Sequence, residues 1–263
     1  MKTLKHWKAE SFEISSYTFN LYKRLNKTFY RTSDNECTYT YNELGYRGDS
    51  INKKGFKVMS IGCSNTEGVG VNDDESWPAQ FTKLIPNGVN MNFGTGGQSN
   101  DFIARCLLTY YDIINPDLVL IMYTASSRRE IYTETGDIEP HNPPKSRGWL
   151  KDTEEGRDIF NKLICLQNHN DDFMNWYKNH LLIKYFLESK GCNYLWNGSF
   201  DPIEFKDNLR FDGDFFPLID KGADGEHPGR ITHKLYAENL YNYINLKFPN
   251  YLDKPINFSN KLI

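Results

Sequence analysis

The segment Phe56-Lys57-Val58-Met59-Ser60-Ile61-Gly62-Cys63-Ser64-Asn65-Thr66-Glu67-Gly68 decides how this chain folds. Its first half is short, apolar and ended by glycine, the pattern of a buried strand. Its second half is small and polar, the pattern of a turn at that strand's carboxyl end. Working outward, Ser76-Trp77-Pro78 opens a helix to about residue 84, with Ser76 able to cap the free amides and Pro78 tolerated in the first turn. Residues 89–93 make a second strand, Ser99 caps a helix running to about residue 114, and Pro116-Asp117 introduces the strongest strand, Leu118–Tyr123. Strand and helix in alternation imply an α/β domain with a central parallel sheet and right-handed crossovers.

The chain of 263 residues is long enough for one such domain with a decorated loop. Residues 1–50 are polar and aromatic without a sustained period and read as an N-terminal extension packed on the domain, which itself spans 51–263. Residues 125–168 break the rhythm with Pro140, Pro143 and Pro144 and many charges, so they read as an insertion over the site with a short helix at about 154–165. A helix at 171–190, a strand at 193–196, a loop to residue 229 and a final helix at 231–248 complete the expected order.

A net charge of -3, from 31 basic and 34 acidic residues spread along the chain, offers no basic stripe for a nucleic acid backbone. The apolar run at Leu118–Tyr123 is too short to cross a bilayer, and the first residues lack the apolar core of a secretory signal, so no membrane partner and a cytoplasmic location are expected. Five cysteines without a CxxC pair argue for reduced thiols, and no two histidines stand at ligand spacing on an expected helix, so neither a metal nor another cofactor is expected. Gly94-x-Gly96-Gly97 matches neither GxGxxG nor a P-loop, which sets nucleotide binding aside.

Reactive groups in such a sheet collect where strands end, because the loops converge there. Three strand-end segments carry chemistry. In Gly62-Cys63-Ser64 the serine stands on a turn whose backbone can aim an N–H at a developing oxyanion. In Asn92-Phe93-Gly94-Thr95-Gly96-Gly97 the glycines let the main chain approach a substrate, so the Gly97 amide can donate to the same oxyanion. In Asp224-Gly225-Glu226-His227-Pro228 the carboxylate can hold one imidazole nitrogen and leave the other to take a proton. Singly, each has an ordinary structural reading as a turn, a cap or a surface pair. The remaining histidines, His6, His141, His169, His180 and His233, read as surface pairs.

Together, Gly62-x-Ser64-x-Thr66, Asn92-x4-Gly97 and Asp224-x-x-His227-Pro228 resemble the SGNH hydrolases, also called GDSL-like esterases, and Asn42-x-Leu44-Gly45-Tyr46-Arg47-Gly48 is similar to a lead-in seen in many members. The resemblance implies a three-layer α/β/α, flavodoxin-like fold and metal-free ester hydrolysis by a serine triad. It implies Ser64 as nucleophile, His227 as base, Asp224 as its orienter, and the amides of Ser64 and Gly97 in the oxyanion hole. Two departures stand out. Cys63 replaces the family's aspartate before the nucleophile; as an alternative nucleophile it is disfavoured because its side chain should point away from that of Ser64. After the strand Leu118–Tyr123, the family's Gly-x-Asn-Asp is replaced by Thr124-Ala125-Ser126-Ser127, which puts Ser126 where an oxyanion-binding asparagine is expected and leaves Asn100 or Arg128 as candidate substrate-binding residues.

The expected activity is therefore that of a serine carboxylic ester hydrolase on small acyl esters. O-acetylated carbohydrate leads among substrates because Tyr132, His141 and Trp149 of the insertion suit sugar faces and no long apolar rim suits a lipase. Acyl transfer to another alcohol, or an inactive domain that binds glycan or a protein, are the alternatives.

Overall fold

The computed structural model describes residues 28–30, 37–132, 138–141, 154–198, 208–211 and 218–252. The strands are β1 Thr28–Tyr30, β2 Thr38–Thr40, β3 Arg47–Gly48, β4 Phe56–Ile61, β5 Gly88–Asn92, β6 Leu118–Tyr123, β7 Arg129–Tyr132, β8 Ile138–His141 and β9 Asn193–Gly198. The helices are α1 Ser64–Glu67, α2 Trp77–Lys83, α3 Asn100–Ile114, α4 Glu154–Leu166, α5 His169–Ser189 and α6 Arg230–Lys247.

The central sheet runs β3-β5-β4-β6-β9. Its last four strands are parallel, as expected, but β3 joins the free edge of β5 in antiparallel fashion, so the sheet is mixed. Part of the presumed extension is therefore a strand of the domain: Arg47 pairs with Asn92 and Gly48 with Met91. All six residues of β6 are buried, which explains its unbroken apolar run: a central strand has helices over both faces. Helix α2 packs on β5 and α6, while α3 packs on β4, β6 and α5. Those crossovers place α2 and α3 on opposite faces, giving three layers.

Local chemistry sets two of the helix starts. Ser99 Oγ accepts from Phe102 N at 3.2 Å and starts α3. Asn168 Oδ1 accepts from Asp171 N at 3.1 Å, which starts α5 two residues before the expected position. Ser76 corrects an expectation: it stands at the N-cap of α2 without capping, its hydroxyl turned back onto the Asp73 carbonyl at 3.2 Å. The Trp77 amide is served instead by His233 Nδ1 of α6, at 3.1 Å. His233 is fully buried and His180 is 1% exposed beside Tyr123, so neither is the surface residue that the sequence suggests.

Within 125–168 lie the antiparallel pair β7–β8 and helix α4. Arg129 bonds Asp171 and Asp172 at the start of α5, and buried Glu130 receives Arg105 of α3 at 2.6 Å. Arg129 thus ties β7 to the start of α5. His6 and Trp149, and the side chains of Tyr132 and His141, lie outside the described residues.

Candidate active site

Where β5 and β6 leave opposite sides of β4, the strand order reverses, and the crevice beyond those carboxyl ends is where such sheets hold ligands. Ser64 follows β4 at that point. It is the first residue of α1, whose four residues are all buried, and Ser64 itself keeps 7% of its surface exposed. Cys63 beside it is wholly buried, which suits packing and not nucleophilic attack.

The segment after β5 is bound to this turn along its length. Asn92 Nδ2 donates to the Thr66 carbonyl at 2.9 Å and Asn92 Oδ1 accepts from Gly94 N at 2.9 Å. Thr95 N donates to the Gly62 carbonyl at 3.1 Å and Gly96 N to Glu67 Oε2 at 2.6 Å. A Cβ on Gly94 would come within 2.1 Å of Glu67 N, so only glycine lets this backbone lie on α1. Among the described residues no protein group accepts from the amides of Ser64 or Gly97.

The third segment is a loop closed on itself at its base: Gly229 N donates to the Asp220 carbonyl at 3.0 Å and Gly222 N to the His227 carbonyl at 2.8 Å. Asp220 also accepts from the amides of Ile231 and Thr232 at 2.9 and 2.8 Å, so it caps α6 where Gly229 has no side chain to do so. At the tip, Asp224 Oδ2 lies 2.5 Å from His227 Nδ1, and Asp224 Oδ1 accepts from the amides of His227 and Glu226. Burial by itself would raise the Asp224 carboxyl. Hydrogen bonds from the His227 ring and from the two amides outweigh it and hold the group below the usual carboxylate range. With Nδ1 on the carboxylate, Nε2 is the ring nitrogen left for chemistry.

Two contacts bring this loop to the Ser64 turn. Ala223 N donates to the Gly70 carbonyl at 2.8 Å, and a Cβ on Gly70 would meet Asp224 Oδ1 at 2.9 Å, a spacing only glycine permits. The lead-in seals the junction: Tyr39 Oη accepts from Gly70 N at 2.7 Å, and Cys37, Tyr39 and Tyr41 pack with Ala223. Arg47, 2% exposed, donates to the carbonyls of Glu67, Gly68 and Val71 and pairs with Asp73 at 2.8 Å. Among the described residues no hydrogen bond joins Ser64 to His227.

The segment after β6 treats the remaining candidates differently. Asn100 is completely buried and closes a two-way bond with Thr124, its Oδ1 accepting from the Thr124 amide at 3.0 Å and its Nδ2 donating to the Thr124 carbonyl at 3.1 Å. That side chain fastens α3 to the end of β6, and neither of its ends is left for a substrate. Ser126 stands half-buried in a turn closed by Arg128 N on the Ala125 carbonyl at 3.1 Å. The Arg128 guanidinium bridges Thr124 Oγ1 at 2.8 Å and the Gln98 carbonyl at 3.4 Å, one residue from Gly97.

Glu67, Arg47 and Asp220 escaped the sequence reading, since each is a charged residue whose partners lie elsewhere in the fold. A cavity of about 310 Å³ opens at the β3 edge, lined by Asp49, Lys53, Asp73, Asp74, Lys83 and Asn90 among others. Its charges are paired as Lys53–Asp49, Lys83–Asp74 and Arg47–Asp73, and none of the candidate catalytic residues lines it. Among the described residues no helix is long and apolar enough to cross a membrane, and no group of acidic, histidine and cysteine side chains stands at metal-binding spacing.

No family model and no curated protein sequence matches the chain. Solved structures are similar to it. One is described as a lipolytic protein of the G-D-S-L family from Desulfitobacterium hafniense DCB-2, at 18% identity and TM-score 0.33, over 71% of this chain and 98% of that one. Another is a family 3 carbohydrate esterase from Clostridium thermocellum, at 18% identity and TM-score 0.35, over 73% and 96%. A carbohydrate esterase family 2 enzyme from Corynascus thermopiles (Myceliophthora fergusii) aligns at 12% identity and TM-score 0.40, over 72% and 65%. At such identities and TM-scores the likeness carries no argument; the strand order and helix packing themselves give the three-layer α/β/α arrangement that the resemblance to the SGNH hydrolases implies.

Proposed function

We propose that this chain is a serine-dependent ester hydrolase. The observation that carries the reading is the docking of the glycine segment after β5 and of the 220–229 loop on the serine turn after β4. Among the described residues the amides of Ser64 and Gly97 have no protein acceptor, and the loop tied to the same turn presents an imidazole already held by a carboxylate. In this reading the Ser64 hydroxyl attacks the ester carbonyl while His227 Nε2 takes its proton. Asp224 fixes the Nδ1–H tautomer and stabilises the imidazolium. The amides of Ser64 and Gly97 receive the oxyanion. The imidazolium then protonates the leaving alcohol, and a water activated by His227 releases the acid from Ser64.

In the same reading Ser126, which stands where the resemblance expects an oxyanion-binding asparagine, is the third donor, with the Arg128 guanidinium adding positive charge near Gly97. Small acyl esters are the favoured substrates, since the sequence of residues 125–168 offers no long apolar rim. Among them we favour O-acetylated carbohydrate, on the polar and aromatic composition of residues 125–168.

The test is a panel of acetyl, butyryl and longer nitrophenyl esters with acetylated xylan, run on the wild type and on Ser64→Ala, beside labelling by a fluorophosphonate. Hydrolysis of the short esters and labelling, both lost in Ser64→Ala, are expected. A folded wild type that neither turns over nor labels is a binding domain.

A further inference from the structure

We propose that Glu67 is the positioning residue of the oxyanion segment: its buried carboxylate anchors Gly96, and so fixes the direction of the Gly97 amide. The inference deepens the esterase reading and rests on it. Glu67 is three residues beyond Ser64 and 1% exposed. Its Oε2 accepts from Gly96 N at 2.6 Å, a short charge-assisted bond, and its Oε1 accepts from Tyr41 Oη at 3.4 Å.

The order of tethers explains why this one matters. Residues 92 to 96 are each tied down: Asn92 by Thr66, Phe93 by the Ser60 carbonyl, Gly94 by Asn92, Thr95 by the Gly62 carbonyl and Gly96 by Glu67. The next amide, that of Gly97, has no protein acceptor among the described residues. Glu67 is thus the last fastener before the amide assigned to the oxyanion. The approach is close, since a Cβ on Gly96 would lie 3.1 Å from Glu67 Oε2 and 3.7 Å from Ser64 Cβ.

A carboxylate is costly to bury, and a neutral amide could accept the same bond at lower desolvation cost. What a charge adds is strength in one hydrogen bond, which is useful where a donor must be aimed before charge develops. Arg47 holds the backbone of the same turn by donating to the Glu67 and Gly68 carbonyls.

The experiment compares Glu67→Ala, Glu67→Gln and Tyr41→Phe with the wild type in nitrophenyl acetate hydrolysis and in ¹⁵N NMR of the Gly96 and Gly97 amides. Outright removal of an oxyanion donor costs a hundred- to a thousandfold, so misaiming one in Glu67→Ala should lower kcat about ten- to a hundredfold while KM moves less than about threefold. Its Gly96 amide should lose its downfield shift and exchange faster. Glu67→Gln, which keeps an acceptor but not the charge, should be faster than Glu67→Ala and slower than the wild type. Should Glu67→Ala not fold, Tyr41→Phe serves in its place, with a smaller loss of kcat and a smaller shift of the same amide. An unchanged kcat in folded Glu67→Ala overturns the proposal, as does a Glu67→Gln protein as slow as Glu67→Ala. If the wild type neither hydrolyses the ester nor labels at Ser64, the esterase reading fails separately. The amides then decide the anchoring by themselves: a shift in Glu67→Ala supports it and unmoved amides overturn it.

Discussion

The Ser64 turn and the Asp224–His227 loop are built in opposite ways. Around Ser64, α1 is buried throughout, and it and the turn that follows are held by groups from β2, β3 and β5, among them Tyr39, Arg47 and Asn92. The loop of Asp224 and His227 instead makes most of its own structure through bonds between residues 220 and 232, and those two side chains are about a quarter exposed, at 25% and 28%. One side is positioned by distant chain segments and the other by near neighbours. Substitutions in the first should therefore damage stability and geometry together, and those in the second should separate them.

The sharpest way to break this contrast is His227→Ala. It should lower kcat about ten-thousandfold or more, judged by what loss of a triad histidine does elsewhere, while the melting temperature stays within a few degrees because the ring is partly in water. Thermal melts beside ester hydrolysis check it, and a large loss of stability would mean that the loop depends on its tip.

Arg47→Ala should do the reverse and cost about 3–5 kcal/mol in urea unfolding, since it strips three carbonyls and Asp73 of a buried guanidinium. A cost below about 1 kcal/mol would show that the lead-in is dispensable and the contrast false.

Acid titration sharpens the comparison where α2 meets α6. Burial, aided by the positive charge of Arg47, pushes His233 from 6.5 down to about 3, and as a neutral ring it accepts from the Trp77 amide. The sign follows from the unfolded chain binding this proton first. The contribution is whole above pH 6.5, and stability falls by about 1.4 kcal/mol per unit as pH drops from there toward 3. Urea unfolding across that range should show this slope, and His233→Phe should flatten it.

The smallest effect belongs to Asp220→Ala, which removes the cap of α6 and should cost about 1–2 kcal/mol. It should also loosen the base of the 220–229 loop, so kcat should fall severalfold with little change in KM. Measured together, the two numbers show whether the loop's base sets the position of its tip.

Much of this architecture was readable in advance because its causes are local. Leu118–Tyr123 is an unbroken run of six apolar residues and reads as a buried strand, and Ser99 announces α3 by its own hydroxyl. The pairing of Asp224 with His227 needs only a turn of three residues. Where a partner came from far along the chain, local reading failed. The hydroxyl of Ser76 looked like a cap, but the Trp77 amide is met by His233, 156 residues away. Asn100 looked available for substrate until β6 brought Thr124 against it, 24 residues on.

The amino-acid order by itself determined the alternation of strand and helix, the three segments that end at one sheet edge, and the carboxylate–imidazole pair within one of them. Only the tertiary structure decided that Arg47 and Gly48 make an antiparallel edge strand, that Asn100 is engaged with Thr124, and that Glu67 anchors Gly96. The physical reason is that hydrophobic period and capping act over a few residues. A buried charge or amide, by contrast, is placed by whatever partner the folded chain delivers to it, and one sequence does not display that partner.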